Sequence, residues 1–185
     1  MKRNSVVFAF AILLLGMTPL AARAQQNPVT DAMRQMVKQH AKWLIAGAEE
    51  YPANKLNFRP TPQQWTFGHL MFHIANANEF FCSRLSGEKA PALGHITPQS
   101  SKAVLLAAMK KSFNFCEQSL ASVKDSDMGQ MVSFFGGRKM TKGAVVIAMA
   151  NDFADHYAQE AVYLRLNGLL PPTAMPHRGM PMKKK

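Results

Sequence analysis

Apolar side chains recur at intervals of three and four residues in four separate stretches of the 185-residue chain. This spacing predicts amphipathic helices over residues 30–50, 66–85, 99–123 and 141–167, because residues three and four apart share one face of an α-helix. No stretch shows the convincing alternation of a half-buried strand, and we interpret the short apolar run 132–135 as loop packing. The predicted fold class is therefore all-α, a four-helix bundle.

Turn and cap residues lie between the four predicted helices. Thr30 is expected to cap the first helix, and Pro52 follows its end. Gly136 and Gly137 predict a turn before the fourth helix, and Gly168 is a candidate for its C-terminal cap. These signals indicate a single domain in which long connections join the four helices. Long ordered loops often frame a functional site.

Residues 1–24 have the order of features that is typical of a secretory signal peptide. Two basic residues precede a ten-residue apolar run at 6–15, and a small-x-small cleavage site ends at Ala24. The apolar run is too short to span a bilayer comfortably. The sequence therefore predicts an exported chain, periplasmic or secreted, with no stable membrane anchor. Its parts are a signal peptide (1–24), the bundle (25–172) and a disordered basic tail (173–185).

Much of the formal net charge of +11 lies outside the predicted bundle. The signal segment has three basic residues and no acidic one, and four more basic residues lie in the last eight positions. No recognition motif accompanies this charge, so nucleic acid is not predicted as a partner. The tail is interpreted as a solvated segment. Its stretch 175–182 also contains Met and His donors that suit copper, which leaves metal handling by the tail as an alternative.

Cys82 and Cys116 are the two cysteines of the chain. An even number of cysteines in an exported protein favours a disulfide, because the compartment outside the cytosol is oxidising. In the chain-entropy model, closing a loop of this size would contribute roughly 4 kcal/mol to stability. The alternative is a pair of buried free thiols. Nothing in the sequence around either cysteine indicates a reactive one.

Three polar residues lie on or beside the apolar faces of the second and fourth predicted helices. Asp152 and His156 are spaced i and i+4, so their side chains can converge, and His73 lies at the edge of the apolar stripe of the second helix. A buried aspartate is costly unless it is paired or binds a cation. The set therefore predicts a divalent-metal site with an open coordination position, or alternatively a structural Asp152–His156 ion pair. His69 and Asp155 are expected to face solvent.

Two stretches of the sequence resemble the DinB superfamily over most of the predicted bundle. The first is Phe58-Arg59-Pro60-Thr61-Pro62 with the segment 65–78 that follows it, and the second is Asp152-Phe153-Ala154-Asp155-His156-Tyr157-Ala158-Gln159. The resemblance implies a four-helix fold and a metal site. It implies that His73 is one ligand and that positions 152 and 156 supply the other two.

The second stretch departs from the H-x-x-x-H-Y-G-Q pattern of the family at two positions. Asp152 stands where the family usually has His, and Ala158 stands where it usually has Gly. Since aspartate also binds divalent cations, the site could persist with an altered preference among Zn, Ni, Fe and Mn. Alternatively, the substitution marks a lineage that has lost its metal. The resemblance also implies a possible homodimer.

The functional hypothesis is an exported DinB-like protein with a divalent-metal site formed by His73, Asp152 and His156. As an enzyme it would be a metal-dependent hydrolase or transferase that acts on an unknown small-molecule substrate through metal-activated water. The alternative is a non-enzymatic binding or scaffold protein that has lost the metal. The sequence identifies neither a substrate nor a catalytic base.

Overall fold

The computed structural model describes residues 26–175, and four long helices form most of this part of the chain. None of these helices is long and apolar enough to cross a membrane. The all-α prediction is confirmed, while the predicted signal segment and residues 176–185 of the tail lie outside the described residues. The helices are α1 (Pro28–Glu50), α2 (Phe67–Ser86), α3 (Lys102–Ser119) and α4 (Lys142–Leu166).

One continuous hydrophobic core lies between the four helices. Helix α2 packs on α3 and α4, and α1 packs on the same two helices from the other side. Burying these apolar faces stabilises the fold by about 25 cal/mol for each Å² removed from water. The largest fully buried side chains include Tyr51, Phe67, Phe113, Phe153 and Tyr163. The core therefore fixes α2 beside α4, which are the two helices that carry the candidate ligands.

The bounds of α2 and α4 agree with the prediction to within one residue, and local caps explain both ends of α2 and the beginning of α4. The Thr66 hydroxyl accepts a hydrogen bond from the His69 amide at 3.1 Å, and the Thr141 hydroxyl accepts one from the Ala144 amide at 3.2 Å. At the other end of α2, Gly87 adopts a left-handed conformation with φ of 83°.

Helix α3 is shorter than predicted. It begins at Lys102 rather than at residue 99, because the preceding residues form a turn in which the Ser100 amide donates to the Thr97 carbonyl at 3.0 Å. The Ser101 hydroxyl then accepts from the Val104 amide and caps the helix. The predicted end at residue 123 is also too late, since Leu120–Ser122 tighten into a 3₁₀ turn.

The start of α1 corrects the expectation that Thr30 is its cap. The helix begins at Pro28, and Thr30 is buried within its first turn. The carboxylate of Asp125 accepts hydrogen bonds from the amides of Val29 at 3.0 Å and Thr30 at 2.8 Å. A carboxylate remote in sequence therefore accepts the hydrogen bonds that these two amides would otherwise donate to a local cap.

A small antiparallel hairpin corrects the expectation that the chain has no strand. Strands β1 (Met131–Ser133) and β2 (Lys139–Thr141) pair Val132 with Met140, so part of the run expected to be loop packing is strand. The predicted glycine turn is confirmed, with φ values of 65° at Gly136 and 74° at Gly137. Strands of three residues are too short to show a period in the sequence.

The Cys82–Cys116 disulfide is present and joins α2 to α3. Both residues are fully buried, and their Cα atoms are 5.2 Å apart. This separation lies within the usual range for a disulfide. The alternative of two free thiols is therefore excluded in this structure, and neither cysteine is available as a metal ligand.

The chain remains packed on α4 after the helix has ended. Pro172–Ala174 form a 3₁₀ turn, although the sequence suggested that the tail begins at residue 173. The Tyr157 hydroxyl donates to the Thr173 hydroxyl at 2.8 Å and accepts from the Thr173 amide at 3.0 Å. Thr173 therefore belongs structurally to the folded body.

Candidate metal centre

The three candidate ligands from α2 and α4 lie together in the structure. His156 Nε2 is 3.2 Å from Asp152 Oδ1, and His73 Nε2 is 3.8 Å from the same oxygen. All three ligating atoms lie within 4.8 Å of one another. Bonds of about 2.0–2.1 Å in a tetrahedral site place neighbouring ligand atoms roughly 3.3 Å apart. Small rotations of these side chains would therefore bring them to the separation that a cation requires.

The helix register explains this convergence. Asp152 and His156 are one turn apart on α4, on either side of the buried Phe153 that anchors this face in the core. Helix α2 packs beside α4 and presents His73 to the pair. Two His and one carboxylate from two helices form the donor set, which suits Zn²⁺ and the first-row divalent ions.

One side of the cluster is open to solvent. The His156 side chain is only 7% exposed, whereas Asp152 is 20% and His73 is 35% exposed. Burial raises the pKa of the Asp152 carboxyl, but hydrogen bonds and positive charge from His156 and His73 outweigh it and hold the pKa below its ordinary value. The carboxylate is therefore ionised at neutral pH, which is the form that binds a cation.

Trp65 covers the histidines of α2. Its indole stacks on His69 with ring centroids 4.5 Å apart and lies 4.8 Å from the His73 ring. His69 is consequently half-buried rather than solvent-facing, and it lies outside the three-residue cluster. Burial, together with the nearby charge of His73, lowers the pKa of His69. Sequence reasoning assigned no role to Trp65, although it lies in the segment that carried the family resemblance.

The position of Trp65 is fixed from α4. The Tyr163 hydroxyl donates a hydrogen bond to the Trp65 carbonyl, and the Tyr163 side chain is almost fully buried. The backbone on the far side of Trp65 is also tied down, since the Phe67 amide donates to the Phe58 carbonyl at 3.2 Å. The loop before α2 is therefore held in place beside His156.

Comparison with known proteins identifies the family. The family model described as the DinB superfamily matches residues 22–159, a range that includes all three residues of the cluster. The chain belongs to the DinB superfamily. No curated protein matches it.

Solved structures similar to this DinB-superfamily chain share its fold at low sequence identity. A DinB-like protein from Bacillus cereus ATCC 10987 has a TM-score of 0.64 at 20% identity, over 77% of this chain and 95% of the other. A DinB-like protein from Bacillus subtilis has a TM-score of 0.60 at 18% identity, over 82% and 96%. A conserved protein from Enterococcus faecalis has a TM-score of 0.55 at 16% identity, over 73% and 94%.

Asp155 follows the expectation that it faces solvent, with a side chain that is 66% exposed. It is nevertheless close to the cluster. Its Oδ2 is 3.8 Å from His156 Nδ1 and accepts a hydrogen bond from Gln159 Nε2 at 2.7 Å. The separation from His156 is too long for a direct hydrogen bond. In the described part of this DinB-superfamily chain, His156 Nδ1 is buried without a hydrogen-bond partner.

Glu160 is a buried acidic residue that sequence reasoning missed. It continues the i, i+4, i+8 series of Asp152 and His156 on α4, and this spacing was a signal that could have found it. Its carboxyl packs against Gly47 of α1, and within residues 26–175 its Oε2 has no hydrogen-bond partner. Burial raises the pKa of Glu160 well above its ordinary value, so the group is uncharged over a wider pH range.

We expect Glu160→Gln to stabilise the protein increasingly as the pH rises. In the unfolded chain this carboxyl titrates at about pH 4.3, so above that pH unfolding releases the proton that the buried carboxyl retains. The stability that Glu160 contributes to the wild type is therefore fully present below the pKa of the unfolded state. It is lost as the pH rises towards the raised pKa of the folded state. Urea unfolding of both proteins between pH 4 and 8 measures the difference. Parallel stability curves would contradict the burial of an ionisable Glu160.

Proposed function

We propose that His73, Asp152 and His156 bind one divalent cation and that this site is the functional centre of the protein. The carrying observation is the convergence of three ligating atoms from two helices within 4.8 Å. An ionised carboxylate on a partly exposed face supports the same proposal, since it offsets the charge of a divalent ion. A cation held there would supply Lewis-acid activation of a water molecule or a substrate.

The side chains of this site divide into ligands and supports. Three protein ligands leave coordination positions open, which is the pattern of catalytic rather than structural sites. Trp65 covers the α2 side and excludes water from part of it, while the more exposed Asp152 and His73 leave an approach for a small molecule. We propose a metal-dependent hydrolase or transferase activity on a small substrate, with metal identity left to the measurement below.

We also propose that the chain functions outside the cytosol. The predicted signal segment motivates this proposal, and the buried Cys82–Cys116 disulfide supports it, because structural disulfides form and persist in oxidising compartments. Expression of the full chain followed by separation of periplasmic and cytosolic fractions tests it, with an N-terminus beginning at Gln25 as the expected result.

Elemental analysis of the untagged exported protein, purified without chelator, tests the metal proposal. We expect about one divalent ion per chain in the wild type. His156→Ala and Asp152→Ala each remove one of three ligands, so the affinity should fall by more than the roughly 10–100-fold loss that is typical when a supporting residue is removed. Zn²⁺, Ni²⁺, Mn²⁺ and Fe²⁺ are then added separately to measure uptake.

His69→Ala is the matched control for His73→Ala, since both residues lie on α2 and only His73 belongs to the cluster. The control should keep its metal and the His73 variant should lose it. Circular dichroism establishes that each variant is folded. A wild-type protein that neither carries nor takes up any of the four ions would refute the proposal and favour a non-enzymatic binding or scaffold protein with a structural Asp152–His156 pair.

A further inference from the structure

An open cavity of about 320 Å³ adjoins the candidate metal centre. His156 forms a wall that the cavity shares with the cluster, and the loop before α2 faces α4 across the opening. The remaining lining side chains are three carboxamides, one carboxylate and two aromatic rings: Gln63, Gln64, Gln159, Asp155, Trp65 and Tyr163. Drug-sized ligands occupy pockets of roughly 300–1,000 Å³, so this cavity suits a small molecule.

The chemistry of the lining disfavours two classes of ligand, anions and alkyl chains. Among the described residues that line the cavity, none is Lys or Arg, and Asp155 is acidic, so away from His156 and a metal bound beside it the walls disfavour an anionic group. None of them is aliphatic, so the apolar surface of the cavity consists of the Trp65 and Tyr163 rings, which suit a flat apolar face better than an alkyl chain. The three carboxamides each carry donors and an acceptor, which suits an uncharged group that both donates and accepts hydrogen bonds.

Gln63 and Gln64 are presented by an ordered loop while their side chains remain available. The Gln64 amide donates to the Thr61 carbonyl at 3.1 Å, and the Arg59 guanidinium donates to the Pro62 carbonyl at 3.3 Å. Within residues 26–175 neither glutamine side chain makes a hydrogen bond inside the protein. A ligand would therefore meet free amide groups on a backbone that is already fixed, which lowers the entropy cost of binding.

We infer that this cavity binds a small uncharged ligand through adjacent hydroxyl or amide groups, with Gln63 and Gln64 as specificity-determining residues. The role of this ligand as a substrate rests on the proposed function, because it depends on a metal beside His156. The aromatic walls of Trp65 and Tyr163 would contact the apolar face of such a ligand, and the carboxamides would bind its polar edge. Hydroxyl and amide sources share this chemistry, and the experiment separates them.

The two tryptophans of the chain allow binding to be observed directly. Trp65 lines the cavity, whereas Trp43 packs on His40 and Tyr157 and serves as an internal reference. Their indole N–H resonances are followed in ¹⁵N NMR spectra of the full mature protein, in metal-loaded and metal-stripped forms. The probes are methyl glucoside as a hydroxyl source and N-acetylglycinamide as an amide source. Cyclohexanol and N-acetylglycine are their matched apolar and anionic controls.

We expect at least one uncharged probe to shift the Trp65 resonance saturably and to leave Trp43 unchanged. The double variant Gln63→Ala/Gln64→Ala removes two hydrogen-bonding side chains and should lower the affinity for that probe by about tenfold. Gln118→Ala, which alters an exposed glutamine of α3 that does not line the cavity, is the matched control and should bind like the wild type.

Three results would overturn this inference. They are failure of both uncharged probes to bind, stronger binding of cyclohexanol or N-acetylglycine than of the uncharged probes, and equal binding of a probe by the double variant and the wild type. The metal content of the double variant separates this inference from the proposed function, since Gln63 and Gln64 are not members of the metal cluster. A wild-type protein that neither carries nor takes up a metal but still binds an uncharged probe would refute the metal function and retain the cavity as a binding site.

Discussion

Removing the disulfide is expected to lower the free energy of unfolding by about 4 kcal/mol, because cross-linking residues 34 positions apart restricts the unfolded chain. Native domains have a total stability of roughly 5–15 kcal/mol, so this loss is a large share of it. For a chain of this size it corresponds to a fall in Tm of roughly 8–16 °C. Thermal unfolding of the oxidised protein and of Cys82→Ala/Cys116→Ala measures the difference.

Wild-type protein unfolded in the presence of a reductant is the control for this prediction. It keeps both sulfur atoms in the core, whereas the double alanine variant also leaves space where the sulfurs were. We therefore expect the reduced protein to lose the cross-link contribution alone and the variant to lose somewhat more. If the reduced and oxidised proteins unfold at the same temperature, the disulfide does not restrict the unfolded chain as argued.

Gly47→Ala is expected to destabilise the protein by about 1–2 kcal/mol, although alanine is the better helix former by about 1 kcal/mol. A Cβ atom at position 47 would lie 2.7 Å from the Glu160 Cδ atom, closer than van der Waals contact allows. The Glu160 side chain is buried, so it has little room to move away. Urea unfolding at fixed pH measures the change in free energy.

The control is to make Gly47→Ala in proteins that also carry a substitution of Glu160. In Glu160→Ala the obstructing carboxyl is absent, so Gly47→Ala should be stabilising there and destabilising in the wild type. In Glu160→Gln the side chain has nearly the same size, and the cost of Gly47→Ala should persist. A stabilising effect of Gly47→Ala in all three backgrounds would mean that α1 and α4 separate easily at this contact.

Features that depend on nearby residues were predictable from the sequence. The beginnings of α2 and α4 follow from Thr66 and Thr141, whose hydroxyl groups accept hydrogen bonds from amides three residues later. The shared face of Asp152 and His156 follows from the helical period alone. The prediction that His73 lies near this pair depended on the bundle and on the family resemblance, since no local rule relates α2 to α4.

Features that depend on remote contacts were not predictable. The amides of Val29 and Thr30 are bound by Asp125, which is 96 and 95 residues away, so Thr30 looked like a cap. The contact between Tyr163 and the Trp65 carbonyl spans 98 residues and fixes one wall of the cavity. Single-sequence patterns describe neighbours within a few positions, and these contacts form only when the helices pack.

The position of Asp125 in the sequence also determines when the first turn of α1 can become stable during synthesis. A chain that emerges with its N-terminus first exposes the amides of Val29 and Thr30 long before Asp125 appears. Until then these two amides have only water as a partner, and the helix is open to fraying at that end. Chains in which Asp125 has not yet emerged should therefore leave the beginning of α1 accessible to proteases, and chains in which Asp125 has emerged and reached α1 should protect it.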